Sequence, residues 1–370
     1  MWFAGRLPAS SLTPWMMRRG LLDPADVVRG EFTVTQIDRH NRGFLIRRPA
    51  TRPLFVKQLT TLDRFDIACL EREAHILRLA GSDERFASLG QAMPEFVDYD
   101  ESRYALTVKL LPDARDLLSA AEHAGGIPLA VARQAGNLVA EFESECGRAI
   151  ATALNPNLCD GRPPWILSYH RDQGDGWLSP ANEQLLRTLQ DDSRLTGTLD
   201  EIRLSWTADS LMHSDLKWDN VLAVNGEGAE ENSESPCRFI DWEMVNRGDA
   251  AWDAATMVQC WWWYWIMSTP PVELTTLDDL QRKRMPAFDE HRDSLNAFWA
   301  GYVESLSVES AHERLAGCLR LAAARLLQTT YELLQSASEF SPQARLLVEM
   351  SRRFLLQPES AQRFAPEEPT

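Results

Sequence analysis

The sequence predicts an α+β protein in which a small antiparallel sheet precedes a mostly helical part. Residues 31–57 have the alternation that is typical of strands, and two further strand patterns occur before residue 111. From Ile127 onward helical patterns prevail. The length of 370 residues is sufficient for two domains or for one unit with two lobes. We therefore expect a small lobe over residues 31–111 and a helical lobe over residues 112–356.

The predicted small lobe consists of strands and one helix. A turn over residues 41–43 separates two strands, and the apolar run PLFVK ends at Lys57. A helix over residues 64–80 follows, because Leu70, Ala74 and Leu77 recur at helical spacing. Strands are also predicted at residues 93–97 and 104–111, and residues 109–113 are expected to form a hinge to the helical lobe.

In the predicted helical lobe, short strands at residues 221–224 and 238–240 flank an acidic, polar stretch that we expect to be a mobile surface insertion. A helix that begins at Asp253 carries the apolar run CWWWYWIM. Its aromatic residues would point all round the helix, so we expect some of them to line a groove or a partner surface. Residues 1–30 are predicted to be an N-terminal extension and residues 357–370 a disordered tail.

Two polar motifs carry the chemistry. Residues 213–220 read HSDLKWDN, and residues 239–243 read FIDWE. Phosphoryl transfer needs a carboxylate that orients the attacking hydroxyl and oxygen ligands for the Mg²⁺ that neutralises ATP. Asp215, Asn220 and Asp241 supply both kinds of group. The spacing from Asp215 to Asn220 equals that of the catalytic loop H-R-D-x-x-x-x-N.

With Gly248, Asp249 and Asp253 behind them, these motifs resemble the aminoglycoside phosphotransferase and choline kinase branch of the protein-kinase-like superfamily. That branch carries H-G-D-x-x-x-x-N, then I-D-W/F-E, then G-D-x-x-x-D. The resemblance covers roughly residues 30–340 and departs at Ser214, where the family usually has glycine, and at Lys217. It implies a bilobal protein-kinase-like fold, with ATP and Mg²⁺ as cofactors.

The resemblance also implies roles for single residues. Asp215 would orient the acceptor hydroxyl, Lys217 would stabilise charge at the transferred phosphoryl group, and Asn220 would take part in catalysis. Asn220 and Asp241 would bind the metal. Two residues would hold the catalytic loop in place: His213 and Asp253.

Lysine is rare in the chain, since it supplies only four of the 38 basic residues. Lys57 ends a predicted strand, where the resemblance places the lysine that reaches the ATP phosphates. Such a lysine is held by a glutamate on the next helix. Glu71 and Glu73 lie about equally far from the apolar face of that helix, so periodicity does not choose between them. The family pattern R-E-A falls on residues 72–74 and selects Glu73.

Composition excludes several classes of partner. The net charge of −16 argues against nucleic acid, whose binding needs clustered positive charge. The longest apolar run, residues 260–267, is shorter than the ~20 residues of a spanning helix, so no membrane association is expected. The six cysteines form no C-x-x-C pair, and the N-terminus has no uninterrupted apolar stretch of the kind that secretory signals contain. We expect a reduced, cytoplasmic protein.

The motifs predict the reaction but leave the acceptor open. One candidate is a small molecule such as an aminoglycoside, a sugar or choline. The other, narrowly favoured, is Ser or Thr of a ribosomal precursor peptide, phosphorylated beside a phosphate-eliminating lyase. The loop resembles those of thioamitide and class V lanthipeptide kinases, and Lys217 with Trp218, the aromatic helix and the arginine-rich composition favour this alternative. A nucleotide-binding pseudokinase scaffold is a third possibility, against which the intact motifs argue. Candidate acceptor contacts in the irregular segment 155–180 are His170, Arg171 and Asp172.

Overall fold

The chain divides into two compact units in the computed structural model, which describes residues 7–38, 42–48, 51–111, 114–123, 126–171, 178–224, 237–273 and 276–367. The first unit is Met1–Arg115 with Leu222–Val245, and the second is Asp116–Val221 with Asn246–Thr370. The FIDWE segment, which the sequence assigned to the helical lobe, therefore belongs to the first unit. A backbone hydrogen bond of 2.7 Å from Phe239 N to Ala92 O holds it there.

A five-stranded antiparallel sheet forms the centre of the first unit, with strand order β1-β2-β3-β5-β4. Its strands are β1 Thr33–Asp38, β2 Arg42–Arg48, β3 Thr51–Gln58, β4 Phe96–Asp100 and β5 Ala105–Lys109. A second small sheet has the order β6-β8-β9, and its strands are β6 Ala114–Asp116, β8 Val221–Val224 and β9 Cys237–Phe239. In the large sheet Lys57 of β3 lies opposite Gly43 of β2 and Leu106 of β5, which places this lysine in the central strand.

The helices of the first unit are α1 Ala9–Arg18, α2 Pro24–Arg29, α3 Arg64–Ser82 and α4 Ala87–Gly90. Helix α3 begins where the Asp63 carboxylate accepts hydrogen bonds from the backbone N–H groups of Phe65 and Asp66, at 2.8 and 2.9 Å. Its buried face contains the three apolar residues that the periodicity predicted, and Glu73 is buried with them.

The predicted N-terminal extension is part of the core of the first unit as far as it is described. Leu12, Trp15 and Met16 are buried, and they pack in one cluster with Phe44 of β2. The indole Nε1 of Trp15 donates a hydrogen bond of 2.7 Å to Asp100. The sequence analysis did not consider these apolar residues, which lie at positions i, i+3 and i+4, as one face of a helix.

Two strands of the first unit begin at other residues than the sequence predicts. The strand predicted at residues 93–97 begins at Phe96, because Met93 N–H closes a turn to Gly90 O and Pro94 has no N–H to donate. Arg42 and Gly43, predicted to be in a turn, begin β2. Residue 41, the end of the predicted hinge at 112–113 and the predicted insertion at 225–236 lie outside the described residues.

The second unit is mostly helical. Two short strands, β7 Ser210–Met212 and β10 Asn246–Gly248, pair antiparallel, and β7 leads into the HSDLKWDN loop. Its helices are α5 Leu117–His123, α6 Leu129–Ala140, α7 Glu145–Ala153, α8 Pro180–Gln190, α9 Ser193–Leu204, α10 Ala251–Met267, α11 Leu277–Asp289, α12 Arg292–Tyr302, α13 Val308–Leu334 and α14 Pro342–Leu356.

Helices α6 and α12 approach each other closely through two glycines. A Cβ atom on Gly136 would lie 2.0 Å from Phe298 O, and one on Gly301 would lie 2.1 Å from Arg133 O. Side chains at these positions would push the two backbones apart, so the close packing of this helix pair requires glycine on both sides.

Helix α10 is a core element of the second unit. Trp261, Trp262 and Trp265 are at most 2% exposed, whereas Trp263 and Tyr264 are half-buried. Of the five aromatic residues, only Trp263 and Tyr264 therefore remain for the expected groove or partner surface. The rings of the three buried tryptophans fill the space between α10 and its neighbours, which is the usual fate of large apolar side chains.

The predicted disordered tail is wrong for the part of it that is described. Pro358–Phe364 forms a 3₁₀ helix, and Phe364 is completely buried. The Phe364 carbonyl accepts a 3.0 Å hydrogen bond from Trp262 Nε1, and its ring centroid lies 5.2 Å from that of Trp265. Burial of these aromatic surfaces outweighs the polar composition of the segment. Residues 368–370 lie outside the described residues.

Among the helices of the described part of the chain, none combines the length and the apolar character that crossing a bilayer requires.

Candidate active site

In the first unit, three carboxylates surround the ammonium group of Lys57. Its Nζ lies 2.8 Å from Glu73 Oε2, 2.6 Å from Asp241 Oδ1 and 2.8 Å from Glu243 Oε2. Periodicity left Glu71 and Glu73 open, and the structure gives the contact to Glu73. Because an ammonium group has three N–H donors, each of them is directed to a carboxylate.

The charges of this cluster do not balance. Burial acts to lower the pKa of Lys57, but the neighbouring charges of Glu73, Asp241 and Glu243 outweigh it and hold that pKa well above its ordinary value. Burial raises the pKa of Glu73 to about 7, against the lowering effect of Lys57. With all groups ionised, three negative charges face one positive charge, so the cluster favours the approach of a further cation.

The three carboxylates are also a set of residues that could hold a metal ion. One ligand oxygen from each of Glu73, Asp241 and Glu243 lies within 4.8 Å of the others. Carboxylate oxygens and surplus negative charge are the features that hard divalent cations prefer. Glu243 was not assigned by the sequence analysis, although it is the last letter of the FIDWE motif and lies two residues after Asp241.

Local backbone geometry fixes the FIDWE side chains. Asp241 has φ 64°, in the left-handed region that aspartate tolerates better than most residues. The 3₁₀ turn Trp242–Met244 follows, and Arg72 of α3 donates a 2.9 Å hydrogen bond to the carbonyl of Glu243. Helix α3 therefore contacts this segment directly through Arg72, and Lys57 of β3 bridges Glu73 of α3 to Asp241 and Glu243.

In the second unit, Asp253 holds the start of the HSDLKWDN loop, residues 213–220. Its carboxylate accepts hydrogen bonds from the backbone N–H groups of His213, at 2.6 Å, and Ser214, at 2.9 Å. The resemblance implied a contact of this kind. Complete burial raises the pKa of Asp253 to about 7. His213 is also completely buried, and its Nδ1 accepts from Asp215 N at 3.4 Å.

Ser214 occupies the position at which the branch that these motifs resemble usually has glycine. Its φ is 73°, in the left-handed region that favours glycine. Its Oγ is buried and has no hydrogen-bond partner among the described residues. The loop therefore keeps a conformation that glycine would adopt without strain. The serine side chain adds backbone strain and an unpartnered hydroxyl, both of which cost free energy.

Both carboxylate oxygens of Asp215 are paired with cations. Oδ1 lies 3.0 Å from Nη2 of Arg325, and Oδ2 lies 3.0 Å from Nζ of Lys217. Asn220 Nδ2 donates a 2.8 Å hydrogen bond to the carbonyl of Asp215, so its Oδ1 is the group that could bind a cation. Burial acts to lower the pKa of Lys217, but Asp215 outweighs it and the net shift is upward.

The sequence analysis missed Arg325. It lies on α13, 110 positions after Asp215, and its side chain is 1% exposed. No local motif marks it, and arginine is common throughout the chain. A buried position within an otherwise apolar helical stretch, LAAARLL, was the available signal.

Two of the three residues predicted to contact the acceptor, His170 and Arg171, have a partner within the second unit. His170 and Arg171 both pair with Asp200 of α9, at 3.3 and 2.7 Å, and the His170 side chain is buried. The structure does not bring them to Asp215. Asp172 lies outside the described residues.

No protein-family model matches the chain, and no curated protein matches it. Solved structures do. An ethanolamine kinase from Plasmodium vivax matches with a TM-score of 0.59 and 11% identity, over 96% of this chain and 91% of that one. An amicoumacin kinase in complex with AMP-PNP, Ca²⁺ and its ligand matches with 0.55 and 12%, over 96% and 95%. A choline/ethanolamine kinase family protein from Mesorhizobium loti matches with 0.54 and 12%, over 95% and 97%. The chain therefore has the α+β protein-kinase-like fold, with a small antiparallel sheet and a mostly helical remainder.

Proposed function

We propose that this chain is an ATP-dependent O-phosphotransferase that uses Mg²⁺. The observation that carries the proposal is the convergence of Glu73 and Asp241 on Lys57, from which they are 16 and 184 positions distant in the sequence. A phosphate-binding lysine needs a glutamate that holds it in place, and the reaction needs an aspartate for the metal. The kinase-like fold of the chain supports the same conclusion.

Nucleotide binding by Lys57 requires an exchange of partners. Because all three N–H donors are directed to carboxylates, a phosphate oxygen replaces one of them. The Glu73 side chain is only 7% exposed, whereas Asp241 is 38% and Glu243 is 24% exposed. Glu73 is therefore the carboxylate that keeps the lysine in position, and Asp241 is the one that most readily turns towards a metal.

Mg²⁺, when bound, would supply positive charge that neutralises the ATP phosphates. Asp241, with Glu243 beside it, is a proposed ligand from the first unit. The motif resemblance also assigns Asn220 to the metal, and its amide oxygen is the candidate ligand atom because its nitrogen is used within the loop.

Asp215 orients the acceptor in the proposed reaction. The acceptor oxygen forms a bond to the γ-phosphorus, and the bond between that phosphorus and the oxygen of ADP breaks. The hydroxyl proton passes to the Asp215 carboxylate and from there to solvent. Lys217 balances negative charge on the transferred group, since its ammonium lies beside Asp215 and is partly exposed.

We infer that the acceptor is a small hydroxyl compound of the amino alcohol or antibiotic type. The solved structures with the same fold carry the names of ethanolamine, choline/ethanolamine and amicoumacin kinases. The peptide acceptor favoured by the sequence depended partly on an aromatic groove along α10, and three of its tryptophans are core residues. A Ser/Thr precursor peptide, with its partner lyase, is therefore the alternative acceptor, and the experiment below includes both.

The test incubates the protein and Mg·ATP with ethanolamine, choline, a panel of aminoglycosides and a candidate precursor peptide, with and without the lyase. Mass spectrometry should detect phosphate on a small hydroxyl compound and an equal amount of ADP. Asp215→Ala should lower the rate of transfer by ~10²-fold or more, whereas Asp219→Ala, at an exposed aspartate in the same loop, should retain it. Phosphate on the peptide alone would overturn the small acceptor. A protein that binds Mg·ATP in calorimetry but neither transfers phosphate to any acceptor nor hydrolyses ATP would be a pseudokinase scaffold instead.

A further inference from the structure

We propose that Arg325 positions the Asp215 carboxylate for phosphoryl transfer and acts on the reaction only through Asp215. The inference rests on the proposed function and adds a positioning residue to it. Its basis is the 3.0 Å ion pair between Arg325 Nη2 and Asp215 Oδ1, both of which lie in the second unit.

The two cations that hold Asp215 differ in mobility. The Arg325 side chain is 1% exposed, whereas the Lys217 side chain is 37% exposed. A planar, buried guanidinium is rigid, and an ammonium on a partly exposed four-carbon chain is mobile. Arg325 therefore fixes one oxygen of the carboxylate, while Lys217 can leave the other oxygen and follow charge on the phosphoryl group.

A second layer of polar side chains fixes Arg325 itself. Its Nη1 donates a 2.9 Å hydrogen bond to Thr329 Oγ1 and lies 3.5 Å from Glu332 Oε1. Thr329 Oγ1 donates to Gln259 Oε1 of α10 at 3.3 Å, and Gln328 Nε2 donates to Glu332 Oε1 at 3.1 Å. The partners recur along α13 at intervals of three and four residues, which brings them onto one face of the helix.

Stability alone does not explain an arginine at this place. Desolvation of a guanidinium is costly, and well-packed apolar residues often replace buried ion pairs with no loss of stability. Here the cost is higher because Arg325 Nε is buried and has no hydrogen-bond partner among the described residues. The Arg325–Asp215 ion pair is explained if it holds the carboxylate in one orientation, since small displacements of a reacting group slow catalysis strongly.

The test compares Arg325→Met with Arg320→Met. Arg320 lies on the same helix and pairs with Glu201 at the surface, so it controls for loss of an arginine from α13. The rates measured are Mg·ATP hydrolysis, with water as the acceptor, and transfer to the small hydroxyl compound that the acceptor screen identifies. Arg325→Met should lower kcat by ~10- to 10²-fold, as a misplaced reacting group does, and should leave KM for Mg·ATP within about twofold. Arg320→Met should leave both unchanged.

Three further variants separate positioning from folding. Arg325→Lys, which keeps the charge, should recover part of kcat. Thr329→Val keeps the arginine but removes its anchor, so it should lower kcat by a smaller factor. In the Asp215→Ala background, Arg325→Met should cause no further loss of kcat, because residues that act as one unit are not additive. The melting temperature of each variant is measured alongside.

Several results would overturn the inference. They are a kcat of Arg325→Met equal to that of Arg320→Met, or a further loss when Arg325→Met is added to Asp215→Ala. If Arg325→Met does not fold, an unchanged kcat of Thr329→Val decides against the proposal. A wild-type protein that neither hydrolyses ATP nor transfers phosphate overturns the proposed function itself, and this outcome is distinct from an active wild type with unaffected variants.

Discussion

Replacement of Ser214 by glycine should stabilise the protein, although the residue lies in the catalytic loop. Its φ of 73° is unfavourable for a residue with a Cβ atom, at a cost of about 1–2 kcal/mol. Its buried, unpartnered Oγ adds a desolvation cost of about 1–3 kcal/mol. Glycine removes both costs but loses about 0.5–1 kcal/mol through the greater freedom of the unfolded chain. The expected gain is therefore about 1–4.5 kcal/mol.

Denaturant unfolding of three variants resolves these contributions. Ser214→Ala removes Oγ but keeps Cβ, so it should recover only the desolvation cost. Ser214→Gly should be more stable than Ser214→Ala. Ser268→Gly is the control for a serine with an ordinary backbone, because Ser268 follows α10 with φ −77°. It should lose about 1–2.5 kcal/mol, through the greater freedom of the unfolded chain and the loss of the hydrogen bond from Ser268 Oγ to the Trp265 carbonyl. If Ser214→Gly is no more stable than Ser214→Ala, the left-handed backbone carries no strain and the reasoning is wrong.

Three further predictions concern aspartates. Asp215→Ala should lower turnover by ~10²-fold or more at unchanged Mg·ATP affinity, as loss of a general base does; a near wild-type rate in single-turnover transfer would show that another residue orients the acceptor. Asp241→Asn should weaken Mg·ATP binding, because an amide is a poorer ligand for a hard cation; equal calorimetric affinities would show that Asp241 is not on the metal. Burial raises the pKa of Asp253 from 3.8 to about 7, so the folded protein holds a proton there that the unfolded chain releases. The free energy of unfolding should therefore fall as the pH rises from about 4 to about 7, and Asp253→Asn should remove that part of the slope in denaturant titrations.

Local patterns in the sequence were sufficient for the elements that depend on short-range order. The strands around Lys57 and the helix that carries Glu73 follow from periodicity within about twenty residues. The motif spacing was sufficient to place Asp215 beside Asn220, because the two residues lie five positions apart in one loop. For such features the information lies in a single segment of chain.

Features that depend on distant segments could not be predicted in this way. Arg325 meets Asp215 across 110 positions, and a single arginine in an arginine-rich chain carries no signal of its partner. Glu243 joins the Lys57 cluster only because the chain returns to the first unit after Val221. The segment after residue 357 appeared polar, and its order depends on the fit of Phe364 against α10.

The packing of Phe364 on α10 also bears on the order of events during synthesis. Trp262 and Phe364 are 102 positions apart, so at about 5–20 residues per second a ribosome needs about 5–20 s to make the segment between them. During that interval the aromatic face of α10 has been made but its cover has not. A chain at this stage leaves tryptophan surface uncovered, so chaperone binding during this interval should raise the yield of folded protein.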